Sequence, residues 1–154
     1  MSGSILYELL PLRRWTCMED GPQKILIIED EESLLGVLTD EFVEQGFSVS
    51  AAADGAEGLS RALRERPDVI LLDILMPVMD GVTMLEWLRK ESEWGSRVPV
   101  IILTNLTPSD TDGRSLSELY DEGVTAPNLT YLQKSEWTLN DVVQVVRDQL
   151  QPAV

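Results

Sequence analysis

The sequence predicts an α/β fold built on one parallel sheet with helices on both faces. Short β-branched runs alternate with stretches of helical periodicity along most of the chain, and the links between runs are long enough for crossovers. The run Val69 to Leu72 is apolar at every position, as a strand covered on both sides must be.

Composition narrows the class. At 154 residues the chain has the size of one domain, with 44% apolar and 25% charged residues in ordinary globular proportion. Twelve Lys and Arg against 27 Asp and Glu give a net charge of −15. Such a surface repels phosphate backbones and anionic lipid, so neither a nucleic acid nor a membrane is expected as a partner. Cys17 is the single cysteine and has no internal disulfide partner, which fits a reducing, cytoplasmic setting. The chain has no histidine, which removes the commonest general base, the commonest zinc ligand and any phosphohistidine carried by the chain itself.

Residues 1–23 read as an N-terminal extension, poorly ordered, and residues 24–154 as the domain. Ile5, Leu6, Leu9 and Leu10 offer one short helical face that Pro11 breaks, and the arginines follow the apolar run instead of preceding it. The polar lead from Met18 suggests that the working protein begins there, with the preceding residues an upstream extension or a weak docking tail.

Ile25 to Ile28 is the first strand and stops at Glu29 and Asp30. Leu34, Leu35, Leu38 and Phe42 then recur at helical spacing until Gly46 stops the helix. Phe47 to Ala51 is a weaker strand. Asp54 with Glu57 three positions on is a capping signature for a helix whose inner face carries Leu59, Ala62 and Leu63. The Val69 strand ends at Asp73, after which Pro77 and the Asp80–Gly81 pair hold a loop before a helix from Val82, with Met84, Leu85 and Leu88 inward.

Val98 to Leu103 is a buried strand ending at Thr104. A short helix is expected around Ser115 to Glu122. Leu129 to Gln133 is the last strand, ending at Lys134, and the last helix runs from about Thr138 to Leu150 with Leu139, Val143, Val146 and Leu150 as its core stripe. Val142 and Val145 lie off that stripe and read as a surface pair: a homodimer or partner face, or merely exposed. Trp87, Trp94 and Trp137 read as packing residues.

In a parallel sheet all strand C-termini share one edge, so Glu29, Asp30, Asp73, Thr104 and Lys134 converge on one pocket. Crowded carboxylates repel one another unless a cation sits among them, and hard oxygen ligands favour Mg²⁺. A lysine and a hydroxyl opposite can neutralise and hydrogen-bond phosphoryl oxygens. The chemistry this describes is an aspartate attacking a phosphoryl group. Each residue alone has a plainer reading: Asp73 caps a turn, Glu29 to Glu32 is a solvated helix start, Thr104 a satisfied strand-end hydroxyl, Lys134 a surface charge, Tyr131 a core residue.

Together, I-L-I-I-E-D-E-E, V-I-L-L-D-I-L-M-P-V-M-D-G, V-I-I-L-T-N and Y-L-Q-K-S resemble the successive signature blocks of the response-regulator receiver domain of two-component signalling, over roughly Lys24 to Leu150. The resemblance implies a flavodoxin-like receiver fold: a doubly wound five-stranded parallel sheet of order 2-1-3-4-5. It implies Asp73 as phosphoacceptor for a sensor histidine kinase or phosphotransfer protein in a phosphorelay. It further implies Mg²⁺ held by Asp30 and Asp73, by Glu29 through water and by the carbonyl of Leu75, with Lys134 paired to the acyl phosphate and Thr104 and Tyr131 as the switch. Ser135 stands where the family usually has proline. Leu75 and Leu106, two past Asp73 and Thr104, occupy positions that tune dephosphorylation, and two leucines there predict a slow phosphatase.

The expected function is a single-domain response regulator that signals to a downstream protein by contact. The alternative is a phosphorylation-independent interaction module with the same fold. An aspartyl-phosphate phosphatase needs a second acid where Leu75 stands, and a nucleotide hydrolase needs a G-x-x-x-x-G-K-S/T loop that is missing.

Overall fold

The computed structural model describes residues 21–105 and 128–151. Strands β1 (Lys24–Ile28), β2 (Ser48–Ala52), β3 (Val69–Leu72), β4 (Val100–Thr104) and β5 (Leu129–Gln133) form one sheet of order β2-β1-β3-β4-β5. Every neighbouring pair is parallel. Both the class and the strand order are those expected. The described helices are α1 (Glu32–Glu44), α2 (Gly55–Glu65), α3 (Gly81–Glu91) and α4 (Leu139–Leu150). The helix expected at 115–122, Leu106 and residues 1–20 of the extension lie outside the described residues.

Side chains on a strand alternate between faces, and the core divides accordingly. Leu26, Ile28, Ile70, Leu72, Val100 and Ile102 face Ala62 of α2 and Met84, Leu85 and Leu88 of α3. Ile25, Ile27, Val69, Leu71, Ile101 and Leu103 face Leu38 and Phe42 of α1 and Val142, Val143 and Val146 of α4. Each fully buried Leu, Ile or Phe contributes about 1.5–3 kcal/mol, so the central strands hold the sheet in register. The edge strand β2, only half-buried along most of its length, contributes less.

Helix starts follow from their caps. Asp54 accepts the Glu57 N–H at 2.8 Å, while the Glu57 carboxylate takes the Ala53 N–H rather than that of the cap itself. Asp80 accepts the Thr83 N–H at 2.8 Å, and Thr138 and Asp141 form a reciprocal capping box. Gly46, at φ +94°, lets the chain turn out of α1, and Phe47 returns to stack edge-on against Phe42 at 5.3 Å.

The fourth strand begins at Val100, later than its apolar run predicts. Proline has no N–H for the ladder, and Pro99 contributes only its carbonyl, which accepts the Ile70 N–H. Val142, expected at the surface, is buried with 3% exposure. At 100° per residue, Leu139, Val142, Val143, Val146 and Leu150 fall within one arc of about 100°, the width of a core-facing stripe. This removes Val142 from any dimer face. Val145 sits at the margin, half-buried against the same layer. Trp94 and Trp137 pack against the two core layers and Trp87 is half exposed.

Candidate functional site

The C-terminal edge of the sheet collects the acids. Glu29 follows β1 and Asp73 follows β3, yet both stay in the ladder: Glu29 N–H donates to Ala52 O at 3.0 Å and Asp73 N–H to Ile28 O at 2.9 Å. Each is thereby fixed one residue beyond its strand. Glu29 and Asp73 are buried, at 2% and 6% exposure, while Asp30 is exposed. One carboxylate oxygen from each of Glu29, Asp30 and Asp73 lies within 4.8 Å of the others. The all-oxygen donor set and its spacing fit a hard divalent cation.

Lys134 opens the single 3₁₀ turn Lys134–Glu136 that follows β5. Its ammonium lies 2.6 Å from Glu29 Oε2 and 3.4 Å from Asp73 Oδ2. The remaining oxygens are engaged by the main chain, with Asp73 Oδ1 accepting from Ile74 N–H at 2.7 Å and Glu29 Oε1 from Glu31 N–H at 3.1 Å. The peptide bond from Lys134 to Ser135 is trans.

Burial dominates the electrostatics of Glu29. It pushes the carboxyl up to about 7 from 4.5, against the lowering effects of the hydrogen bonds from Lys134 and the Glu31 N–H, and the nearby Asp73 adds to the rise. For Lys134 burial pulls the other way, but the bond to Glu29 and the charges of Asp73 and Glu29 together outweigh it and raise the ammonium above 10.5. Lysine therefore stays charged and is the cation that holds the acids together.

Thr104, the last residue of β4, is 1% exposed on the strand beside β3. Leu75 is 61% exposed on the loop after Asp73. Tyr131 lies within β5 opposite Ile102, half-buried against the α2–α3 layer, so it stands back from the strand end. The site thus brings Glu29, Asp30, Asp73 and Lys134 into one cluster and sets Thr104 on the same edge.

The loop between β3 and α3 carries features that motif reading passed over. A Cβ on Gly81 would sit 2.2 Å from the Asp73 carbonyl oxygen, so only glycine lets the start of α3 close on the backbone of Asp73. The Asp80–Gly81 pair reads as a turn signal, and its tertiary requirement has no mark in the sequence. Val78 adopts φ +68° with 86% exposure, a strained backbone for a β-branched residue.

A family model described as "Response regulator receiver domain" matches residues 25–125. The "Probable transcriptional regulator ycf27" of Porphyridium aerugineum is 44% identical over 85 residues, covering 55% of this chain and 34% of that protein. The chain spans about a third of the length of such curated relatives. Among solved structures, chemotaxis protein CheY4 of Vibrio cholerae superposes with a TM-score of 0.70 at 25% identity, covering 84% of this chain and all of that one. The receiver domain of sensor histidine kinase PA1611 of Pseudomonas aeruginosa, with a magnesium ion coordinated in its active-site cleft, gives 0.67 at 28% identity, covering 84% and 98%.

Proposed function

Because the chain belongs to the response-regulator receiver family, we propose that it is a phosphorylation switch in which Asp73 accepts a phosphoryl group from the phosphohistidine of a sensor histidine kinase or phosphotransfer protein. The single observation that carries this is the buried Asp73 carboxylate flanked by Glu29, Asp30 and Lys134 at one sheet edge. With Oδ1 held by the Ile74 N–H, Oδ2 beside Lys134 is the oxygen placed to attack. Attack forms the acyl-phosphate O–P bond and breaks the donor's P–N bond; the imidazole leaves with its electron pair and takes a proton from water.

Glu29, Asp30 and Asp73, with the Leu75 carbonyl, would hold Mg²⁺, which when bound neutralises charge on the phosphoryl oxygens. Lys134 supplies a second positive charge within reach of a group on Asp73, and Thr104 and Tyr131 serve as the switch residues that respond to it. Leu75, exposed beside the site, offers no polar group to orient an attacking water, so the acyl phosphate is long-lived.

Residues 24–154 form the receiver unit in this reading, with 1–23 as an extension, and output passes by contact to a downstream protein. The names of the curated relatives favour a role in controlling transcription. The net charge of −15 argues against direct DNA contact by this chain through charge attraction. Among the described residues no helix is long and apolar enough to cross a membrane, which accords with a cytoplasmic role.

Intact mass after incubation with Mg²⁺ and acetyl phosphate tests the reading. Wild type gains one phosphoryl group, and Asp73→Asn or omission of Mg²⁺ abolishes the gain. No gain by folded wild-type protein would favour the phosphorylation-independent module.

A further inference from the structure

Positive charge is not spread evenly over this acidic chain. Among the described residues, Lys24, Arg64, Arg66, Arg89, Lys90 and Arg97 lie toward the N-terminal edge of the sheet, at a strand start, in the last turns of α2 and α3 or in the loops that follow those helices. That edge is opposite the acidic site. It contains an open groove of about 630 Å³, lined by Arg66, Pro67, Asp68, Trp94, Arg97 and Pro99 among others.

We propose that this cleft is a second ligand site and takes a nucleoside monophosphate, its phosphate on Arg66 and Arg97, its ribose on Asp68 and its base against Trp94. A bare anion fits the wall poorly, because Asp68 and Glu93 line it too. A nucleotide resolves the mixture. Asp68 spends one oxygen on the Lys24 N–H at 2.7 Å, which leaves the other to accept a ribose hydroxyl. Glu93 is already engaged by Arg97 at 2.8 Å. Trp94 is half-buried on the core and, with Pro67 and Pro99, supplies apolar wall for a planar ring.

Two further observations point to the guanidinium groups. Arg66 closes α2 at φ +47°, the left-handed conformation that glycine or asparagine adopts with least strain, and among the described residues it has no ion-pair partner. Arg89 holds Gly95 O and Val98 O at 2.7 and 2.8 Å, in the loop that forms one wall, while its buried Nε and Nη2 have no hydrogen-bond partner. Among the described residues Arg89 has no carboxylate partner, and it braces the loop from behind without lining the cleft itself.

Isothermal titration of the full chain in EDTA with AMP, ribose 5-phosphate and inorganic phosphate tests the site. AMP is expected to saturate with Kd below about 1 mM, at least about tenfold tighter than either other ligand. Arg66→Gly is expected to weaken AMP about tenfold or more without lowering Tm, since glycine suits the left-handed backbone, and to leave phosphorylation of Asp73 by acetyl phosphate unchanged. Absence of saturation at about 5 mM AMP, equal binding of the three ligands, or unaltered AMP binding in Arg66→Gly would each overturn the proposal. None of these results bears on Asp73, whose chemistry is read by mass in a separate assay.

Discussion

Lys134 reaches across the ends of β4 and β3 to place its ammonium 2.6 Å from Glu29, nearer than its 3.4 Å approach to Asp73. The acid after the first strand and the lysine after the last thus form one buried pair, and Asp73 stands beside it. Removing the lysine strands the carboxylates. Lys134→Met in EDTA is expected to lose on the order of 3 kcal/mol in urea unfolding. Millimolar Mg²⁺ should recover part of that loss if the acids hold the cation, and an Mg²⁺-independent deficit would count against them.

The raised carboxyl of Glu29 gives a pH signature in metal-free protein. A group whose folded value is raised from 4.5 to about 7 carries no penalty below 4.5, accumulates one between those values, and keeps it constant above 7. Glu29→Gln escapes the penalty. The variant is therefore expected to match wild type near pH 4.5 and to exceed it above pH 7 by at most about 3 kcal/mol, read as Tm against pH. A variant less stable than wild type at pH 8 would show that the contact to Lys134 outweighs burial.

Opposite outcomes are expected for two changes in the loop after β3. Gly81→Ala drives a methyl to 2.2 Å from the Asp73 carbonyl oxygen, so it should cost about 2–4 kcal/mol and slow phosphoryl uptake by displacing Asp73. Val78→Gly relieves a positive φ at an exposed position and should raise stability by up to about 1 kcal/mol. Chemical denaturation of both, alongside acetyl-phosphate labelling, reads the pair.

Val142→Ala should cost about 2 kcal/mol, because the side chain is buried among Leu38, Leu103 and Val146 in one core layer. Val145→Ala, at the half-buried margin, should cost under about 1 kcal/mol. Equal costs would count against the burial of Val142 in that layer.

The sheet was legible because each central strand is an unbroken apolar run that only two covered faces explain, and Asp73 and Lys134 stood out as charges ending such runs. Val142 departs from the four-residue stripe of α4 because the buried face of that helix is a wider arc than the stripe. The preference of Lys134 for Glu29 over Asp73 was not legible. It depends on the extra methylene of glutamate and on strand spacing, which spacing along the chain does not encode. The close approach at Gly81 was hidden because it is set by tertiary contact, whereas the left-handed backbones of Val78 and Arg66 belong to local turns, a tight turn closed by Met79 N–H to Pro77 O and the end of α2.

Glu29 and Asp73 remain hydrogen-bonded into the sheet beyond the ends of their strands, through Ala52 and Ile28. Their amide protons should accordingly exchange with solvent only when the whole domain opens, as slowly as those of Ile27 and Leu71. The Asp73 carboxylate is thus mounted on backbone tied into the central sheet. On the proposed reading, any change of state it triggers would be carried by groups outside that ladder, such as Lys134 on its single turn 3.4 Å away.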